Sequence, residues 1–344
     1  MDLALIVVAI LTLGVLVVVH EAGHYFAAKW GGMSVSRFSV GFGPALYKRQ
    51  RGETEFRIGA IPFGGYVQID GMHPEDGTDP ESPKSYLNRP RHLRAAAVLA
   101  GPVANYLLAF AMLALFYGAF AMEGRAPFEV SSVEEGSAAA EAGLRPGDLI
   151  VGTATTAFEG SNDLVDAIGA SEGAPMILDV EREGVKLTVT ATARRSGGKW
   201  MLGVGYVAIG DPVPVHFGPV EAIRKAGQEV GLVTERFVLT LASLVKAPST
   251  VKLSGPPGIV NELTGQMKRS AAGTFRFAAH LSIMLGFFNL LPIPALDGAR
   301  LVFIGLGAIR RKEIEPRFEA VVHGIGFLFL LGLMLVVSYF DVMG

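Results

Sequence analysis

The sequence contains no cysteine, which removes disulfide cross-links and thiolate metal sites and leaves histidine and carboxylate side chains to hold a transition metal. Charge is scarce too. Only 18% of the 344 residues are charged and the net charge is −2, so there is no basic field to attract a polyanion, and no nucleic-acid partner is expected. What fills the space is apolar: half of the residues are hydrophobic and mean hydropathy is +0.41, outside the ordinary soluble range. The first partner to expect is a lipid bilayer.

Four charge-free runs, residues 3 to 19, 95 to 122, 277 to 296 and 320 to 340, are each long enough for a helix rising 1.5 Å per residue to cross about 30 Å of hydrocarbon. They predict transmembrane helices over residues 1–30, 95–122, 274–296 and 318–340. No positively charged region precedes the first run, so a cleaved signal peptide is not expected. Lys and Arg are concentrated in the loops at 31–94 and 297–317, which places both loops in the cytoplasm and puts both termini, with the long segment between the second and third spans, on the opposite side.

That segment reads as a soluble α/β module over 123–210 followed by an amphipathic helical linker over 211–273. Residues 137 to 151 (SAAAEAGLRPGDLIV) give a short helix, a turn and a strand start. ILDVEREGVKLTVTAT alternates about Arg182, Glu183 and Gly184 as a hairpin. In the linker, Glu221, Arg224, Lys225 and Glu229 share one face, which suits either the membrane surface or the module as its cover.

The chemistry is concentrated in His20, Glu21 and His24, an H-E-x-x-H motif on the first span. A spacing of four sets the two imidazoles about 40° apart on one helical face, where they can share a metal, with Glu21 beside them as a candidate general base. Three ionisable groups in or near a bilayer are costly unless they act. A catalytic zinc needs a third protein ligand, and residues 39 to 49 hold no acid and no histidine, so that ligand comes from elsewhere. Asp297, in NLLPIPALDG at the expected cytoplasmic end of the third span, is the candidate; the competing reading is a helix-terminal acid in water. Gly64 and Gly65 lie between strand-type residues in IPFGGYVQID, which suggests a hairpin with a free edge. His280 and His323, each isolated within a span, read as interhelical packing or hydrogen-bonding groups. His73, His92 and His216 have no motif around them.

HEAGH at 20–24, GFGP at 41–44, IPFGGYVQIDG at 61–71, GPVAN at 101–105, SAAAEAGLRPGDLI, LSGPPGIV at 253–260 and NLLPIPALDG at 289–298 occur in one chain. In these the sequence resembles the site-2 protease family of intramembrane zinc metalloproteases. Within it, the likeness is to the bacterial regulator of sigma-E protease branch, which cuts membrane-bound anti-sigma factors. The resemblance implies a polytopic α-helical membrane protein of four transmembrane helices, with an inserted extracytoplasmic α/β PDZ-like domain and a membrane-associated β-hairpin. It implies Zn2+ held by His20, His24 and Asp297, with Glu21 as catalytic base and Asn105 and Asn289 positioning the substrate backbone or stabilising an oxyanion. The hairpin, with Gly64, Gly65 and Tyr66, would dip toward the site and take an unwound substrate segment as an added strand. The implied substrates are single-span membrane proteins such as anti-sigma factors or remnant signal peptides, cleaved in the bacterial inner membrane during regulated intramembrane proteolysis. Family members often carry two PDZ domains, and here there is room for one, which would bind a peptide C-terminus or screen substrates by size. The rivals are a metal-dependent enzyme acting on a lipid or small molecule, and a noncatalytic PDZ-containing scaffold or chaperone; an intact Glu21 argues against the scaffold.

Overall fold

The computed structural model describes residues 3–73, 79, 81–120, 122–124, 128–153, 158, 163–208, 213–215, 217–246 and 254–343. The chain divides into two compact units, one made of Met1–Phe116 with Pro219–Gly344, the other of Tyr117–Gly218.

The first unit opens with helix α1 (Leu3–Trp30), continues through strands β1 (Val35–Arg51) and β2 (Thr54–Ile69), and enters helix α2 (Arg91–Ala119). The hairpin with a free edge expected around Gly64 and Gly65 is present, with its turn outside the two glycines. The chain reverses between Arg51 and Thr54, which pair with each other, and both glycines sit inside β2. Gly64, at φ +81°, lies so close to the Phe42 ring that a Cβ there would come within 2.4 Å of it; the pair therefore bends instead of ending. The bend folds the two long strands over each other. Residues 35–40 face 65–69 on one side and 55–58 on the other. Among the described residues, 65–69 consequently have a strand partner along one edge only. The sheet exposes Phe42, Leu46, Tyr47, Ile58 and Ile61, and a Cβ built on Gly14 would touch the Pro62 carbonyl oxygen at 3.5 Å. Gly14 lies six residues before His20, about 9 Å along α1, so the sheet reaches well into the depth of the spanning helix. A core of Ala28, Met33, Val35, Ile69, Ala97 and Val98 ties sheet, α1 and α2 together.

The second unit has its own core of Phe128, Ile150, Leu164, Leu178 and Leu202. Its strands are β3 (Met122–Gly124), β4 (Phe128–Val133), β5 (Leu149–Thr153), β6 (Pro175–Arg182), β7 (Val185–Thr192), β8 (Arg194–Ser196), β9 (Lys199–Met201), β10 (Val204–Ala208) and β11 (Val213–Val215), with helices α3 (Ala138–Glu141) and α4 (Asp163–Ala170). Five strands form one sheet in the order β10-β4-β5-β6-β7. Glu183 and Gly184 turn β6 into β7 with φ of 52° and 80°, the type I′ geometry that suits a two-residue hairpin. Asp148, almost wholly buried, accepts two bonds from Arg182, at 2.6 Å and 2.7 Å, and one from the Arg145 N–H at 2.8 Å. Burial works against its ionisation, but these donors outweigh burial and hold the carboxyl below its ordinary range.

The chain then returns to the first unit through α5 (Pro219–Lys246), α6 (Pro256–Arg269), α7 (Ala271–Asn289), α8 (Asp297–Ile309) and α9 (Pro316–Met343). The expected linker at 211–273 thus carries two helices; Leu253 of LSGPPGIV, like His216, lies outside the described residues. The third span is shorter than the expected 274–296. It stops at Asn289 because Pro292 and Pro294 lack the N–H that would continue it, and the loop expected at 297–317 is largely α8. The second span likewise begins at Arg91 and ends at Ala119 rather than covering 95–122; Arg91 and Arg94 extend it by pairing with Glu313 at 2.9 Å and 2.8 Å. Among the described residues four helices, α1, α2, α7 and α9, are long and apolar enough to cross a membrane. The apolar surface of α9, with Phe327, Leu328, Phe329 and Leu335 exposed, is stable only against lipid or another apolar surface. The chain is a multi-pass membrane protein with an inserted β-rich unit.

Candidate metal centre and active site

Helix α1 buries His20 and His24 near its C-terminal end. The Nδ1 of His24 lies 2.8 Å from the Ala97 carbonyl oxygen on α2. A carbonyl only accepts, so Nδ1 carries the proton and Nε2 is left as a lone-pair donor. The two helices meet closely here because Gly101 has no side chain: a Cβ at that position would fall 2.2 Å from His24 Nε2.

Asp297 arrives from the far side as the first residue of α8, after the proline-bearing turn that ends α7. Its Oδ2 lies 3.2 Å from His20 Nε2 and 3.2 Å from His24 Nε2, and the two Nε2 atoms are 3.1 Å apart. A tetrahedral zinc with ligand bonds of about 2.0–2.1 Å separates its ligands by about 3.3 Å. The triangle matches: His24 Nε2 and Asp297 Oδ2 bring lone pairs, and His20, whose Nδ1 has no hydrogen-bond partner among the described residues, is free to carry its proton there and offer Nε2 as the third. The sequence left Asp297 between metal ligand and solvated acid; the structure brings it to the two histidines.

Glu21 lines the same cavity, of about 540 Å3, and lies within hydrogen-bonding reach of the Val67 backbone. Tyr66, Val67 and Ile69 of the outer strand segment line it as well, as does Asn289. Gly65 faces Glu21: a Cβ on it would meet Glu21 Cγ at 3.5 Å. The Tyr66 ring stacks on Phe42 and its hydroxyl accepts from Arg57 at 3.0 Å. Asn105 is not among the residues that line the cavity. It lies one helical turn beyond Gly101, fully buried, with neither amide atom hydrogen-bonded among the described residues.

Sequence reasoning passed over three residues beside this site. His323, read as isolated, lines the cavity with Arg300 and accepts a hydrogen bond from the Ala295 N–H, two residues before Asp297. Glu319 pairs with Arg300 at 3.1 Å. The available signal was an acid and a histidine four residues apart at the start of an apolar span. His280, expected to pack or hydrogen-bond between helices, does so: its Nε2 lies 2.5 Å from Glu229 Oε1 on α5.

Comparison with known proteins gives a consistent result. Residues 8–333 match Peptidase family M50. A protein of Agrobacterium fabrum is 34% identical, covering 98% of this chain and 95% of its own. One from Clostridium perfringens is 31% identical over 98% of each chain, and one from Synechocystis is 32% identical over 94% and 91%. Each of the three is named a “putative zinc metalloprotease”.

Proposed function

Because the chain belongs to peptidase family M50, and is therefore a membrane metalloprotease whose metal is zinc, we propose that it is a site-2 type endopeptidase. It cuts the transmembrane segments of single-span membrane proteins at a centre built from His20, His24, Asp297 and Glu21. The observation that carries the reading is the convergence of three ligand atoms within 3.2 Å of one another on a cavity that Glu21 and an outer strand also line.

When bound, zinc supplies Lewis acidity toward a water molecule and the scissile carbonyl. Glu21 takes the proton of the attacking water and passes it to the leaving amine. A peptide bond inside a helix is shielded by its own backbone bonds, so the substrate must unwind. The one-sided segment 65–69, with Gly64, Gly65 and Tyr66, offers an edge on which the freed backbone re-forms its bonds. Asn289 in the cavity supplies a polar group to the substrate backbone or the developing oxyanion; Asn105, which does not line the cavity, would join it with its unengaged amide only where α2 shifts as the substrate enters.

The Lys and Arg distribution supports an orientation with both termini and the Tyr117–Gly218 unit outside the cytoplasm, and the likeness to bacterial proteins of the family supports a bacterial inner membrane. The sheet and two helices of that unit support a single PDZ-like domain that binds a peptide C-terminus or limits substrate size. Anti-sigma factors of the sigma-E type and remnant signal peptides, processed in regulated intramembrane proteolysis, are the substrate classes this arrangement suits.

The test is to co-express the chain with a tagged single-span anti-sigma fragment lacking its extracytoplasmic domain, beside His20→Ala, Glu21→Gln and Asp297→Asn. Cleavage is expected to vanish in all three, and bound zinc to fall in the His and Asp variants but stay in Glu21→Gln. Cleavage that persists in Glu21→Gln would overturn the mechanism.

A further inference from the structure

Asp297 has no long helix behind it to hold it in place. It follows a turn containing two prolines, and the residue two before it, Ala295, has φ +79°. That conformation is strained for a non-glycine residue and persists only where the surroundings impose it. The surroundings here are one helix. The Ala295 N–H donates to His323 Nδ1 at 3.1 Å, which fixes the imidazole with Nδ1 as acceptor. One residue earlier, Pro294 packs on Gly326 so closely that a Cβ there would fall 2.3 Å from Pro294 Cβ and 2.6 Å from its carbonyl oxygen. On the other side of Asp297, Arg300 donates from Nε to Glu319 Oε1 at 3.1 Å, with both side chains largely enclosed.

Positions 319, 323 and 326 are i, i+4 and i+7, a single stripe of α9, and their partners at 300, 295 and 294 bracket Asp297. We propose that this stripe is the positioning element for the third zinc ligand: Glu319, His323 and Gly326 set where the Asp297 carboxylate stands relative to His20 and His24. Groups that orient metal ligands from behind typically contribute about 10–100-fold to metal affinity. The inference rests on the zinc reading above, and says that α9, which contributes no ligand itself, determines how well the centre holds its ion.

The experiment uses the full chain purified in detergent, with zinc affinity measured by chelator competition and the visible spectrum of the Co2+-substituted protein as a report on ligand geometry. Variants are His323→Leu, His323→Asn, Gly326→Ala and, as a control on lipid-exposed α9 surface, Leu328→Ala. Circular dichroism and gel filtration establish that each is folded. His323→Leu and Gly326→Ala are expected to weaken zinc binding about 10-fold or more and to shift the Co2+ spectrum. His323→Asn, whose side-chain oxygen can accept the Ala295 N–H, is expected to recover much of the affinity, and Leu328→Ala to match the parent. Parent-like affinity and spectrum in both His323→Leu and Gly326→Ala would overturn the proposal while leaving the metal centre intact. A parent chain that holds no zinc overturns the centre and this inference together.

Discussion

At the scale of single residues, the centre depends on what α2 leaves out as much as on the ligands. Gly101 gives His24 its seat, so Gly101→Ala should push the imidazole off its position and lower zinc affinity about 10-fold or more. The spans should remain folded, with metal content by elemental analysis as the check. Asn105 presents the opposite case, a fully buried amide with no hydrogen bond among the described residues. Replacing an unsatisfied buried polar group by an apolar one of similar size is close to neutral or stabilising. Asn105→Leu should therefore keep or raise the unfolding temperature while slowing cleavage; unchanged cleavage would confine Asn105 to packing. The two histidines and Glu21 were legible in the sequence because a helix fixes the relation of i to i+4. The loop that carries Asp297 has no such periodicity, so its partners on α9 became visible only in three dimensions.

At the scale of elements, the ends of the spans were harder to read than their existence. Apolar composition marks a span, but the third ends where prolines remove backbone donors, several residues before its apolar run does. The hairpin was legible but its turn was not, for a related reason: a Gly-Gly pair signals positive φ, which serves a bulge inside a strand as well as a turn between strands. Helix α6 shows a further element-level dependence. Its N-terminal N–H groups at Gly255 and Gly258 donate to Asp341 Oδ2 near the end of α9, at 2.6 Å and 3.0 Å. A carboxylate at that end of a helix meets both the free donors and the helix dipole. Asp341→Ala should cost about 0.5–2 kcal/mol and speed hydrogen exchange at the start of α6, with little change in bound zinc.

At the scale of the whole molecule, two units with separate cores should respond to different conditions. Zinc adds stability only to the unit that binds it, so chelation should lower the unfolding temperature of the membrane unit and leave that of Tyr117–Gly218 in place. Acid should weaken the Tyr117–Gly218 unit through Asp148. Its folded pKa lies below the ordinary value of about 3.9, so its contribution is complete above that value and is lost as pH falls through the lower, folded pKa. A calorimetric scan at falling pH, with Arg182→Met as a variant already lacking the pair, checks the assignment. The outer strand segment 65–69 bears on the timing of the reaction. An edge of backbone can engage only a stretch of substrate that has already left its helix, and helices in lipid give up their internal bonds rarely. On the proposed mechanism the waiting time for cleavage would be set chiefly by how often the substrate frays at one depth in the membrane, and the enzyme's pace would be written into its substrate's weakest turn.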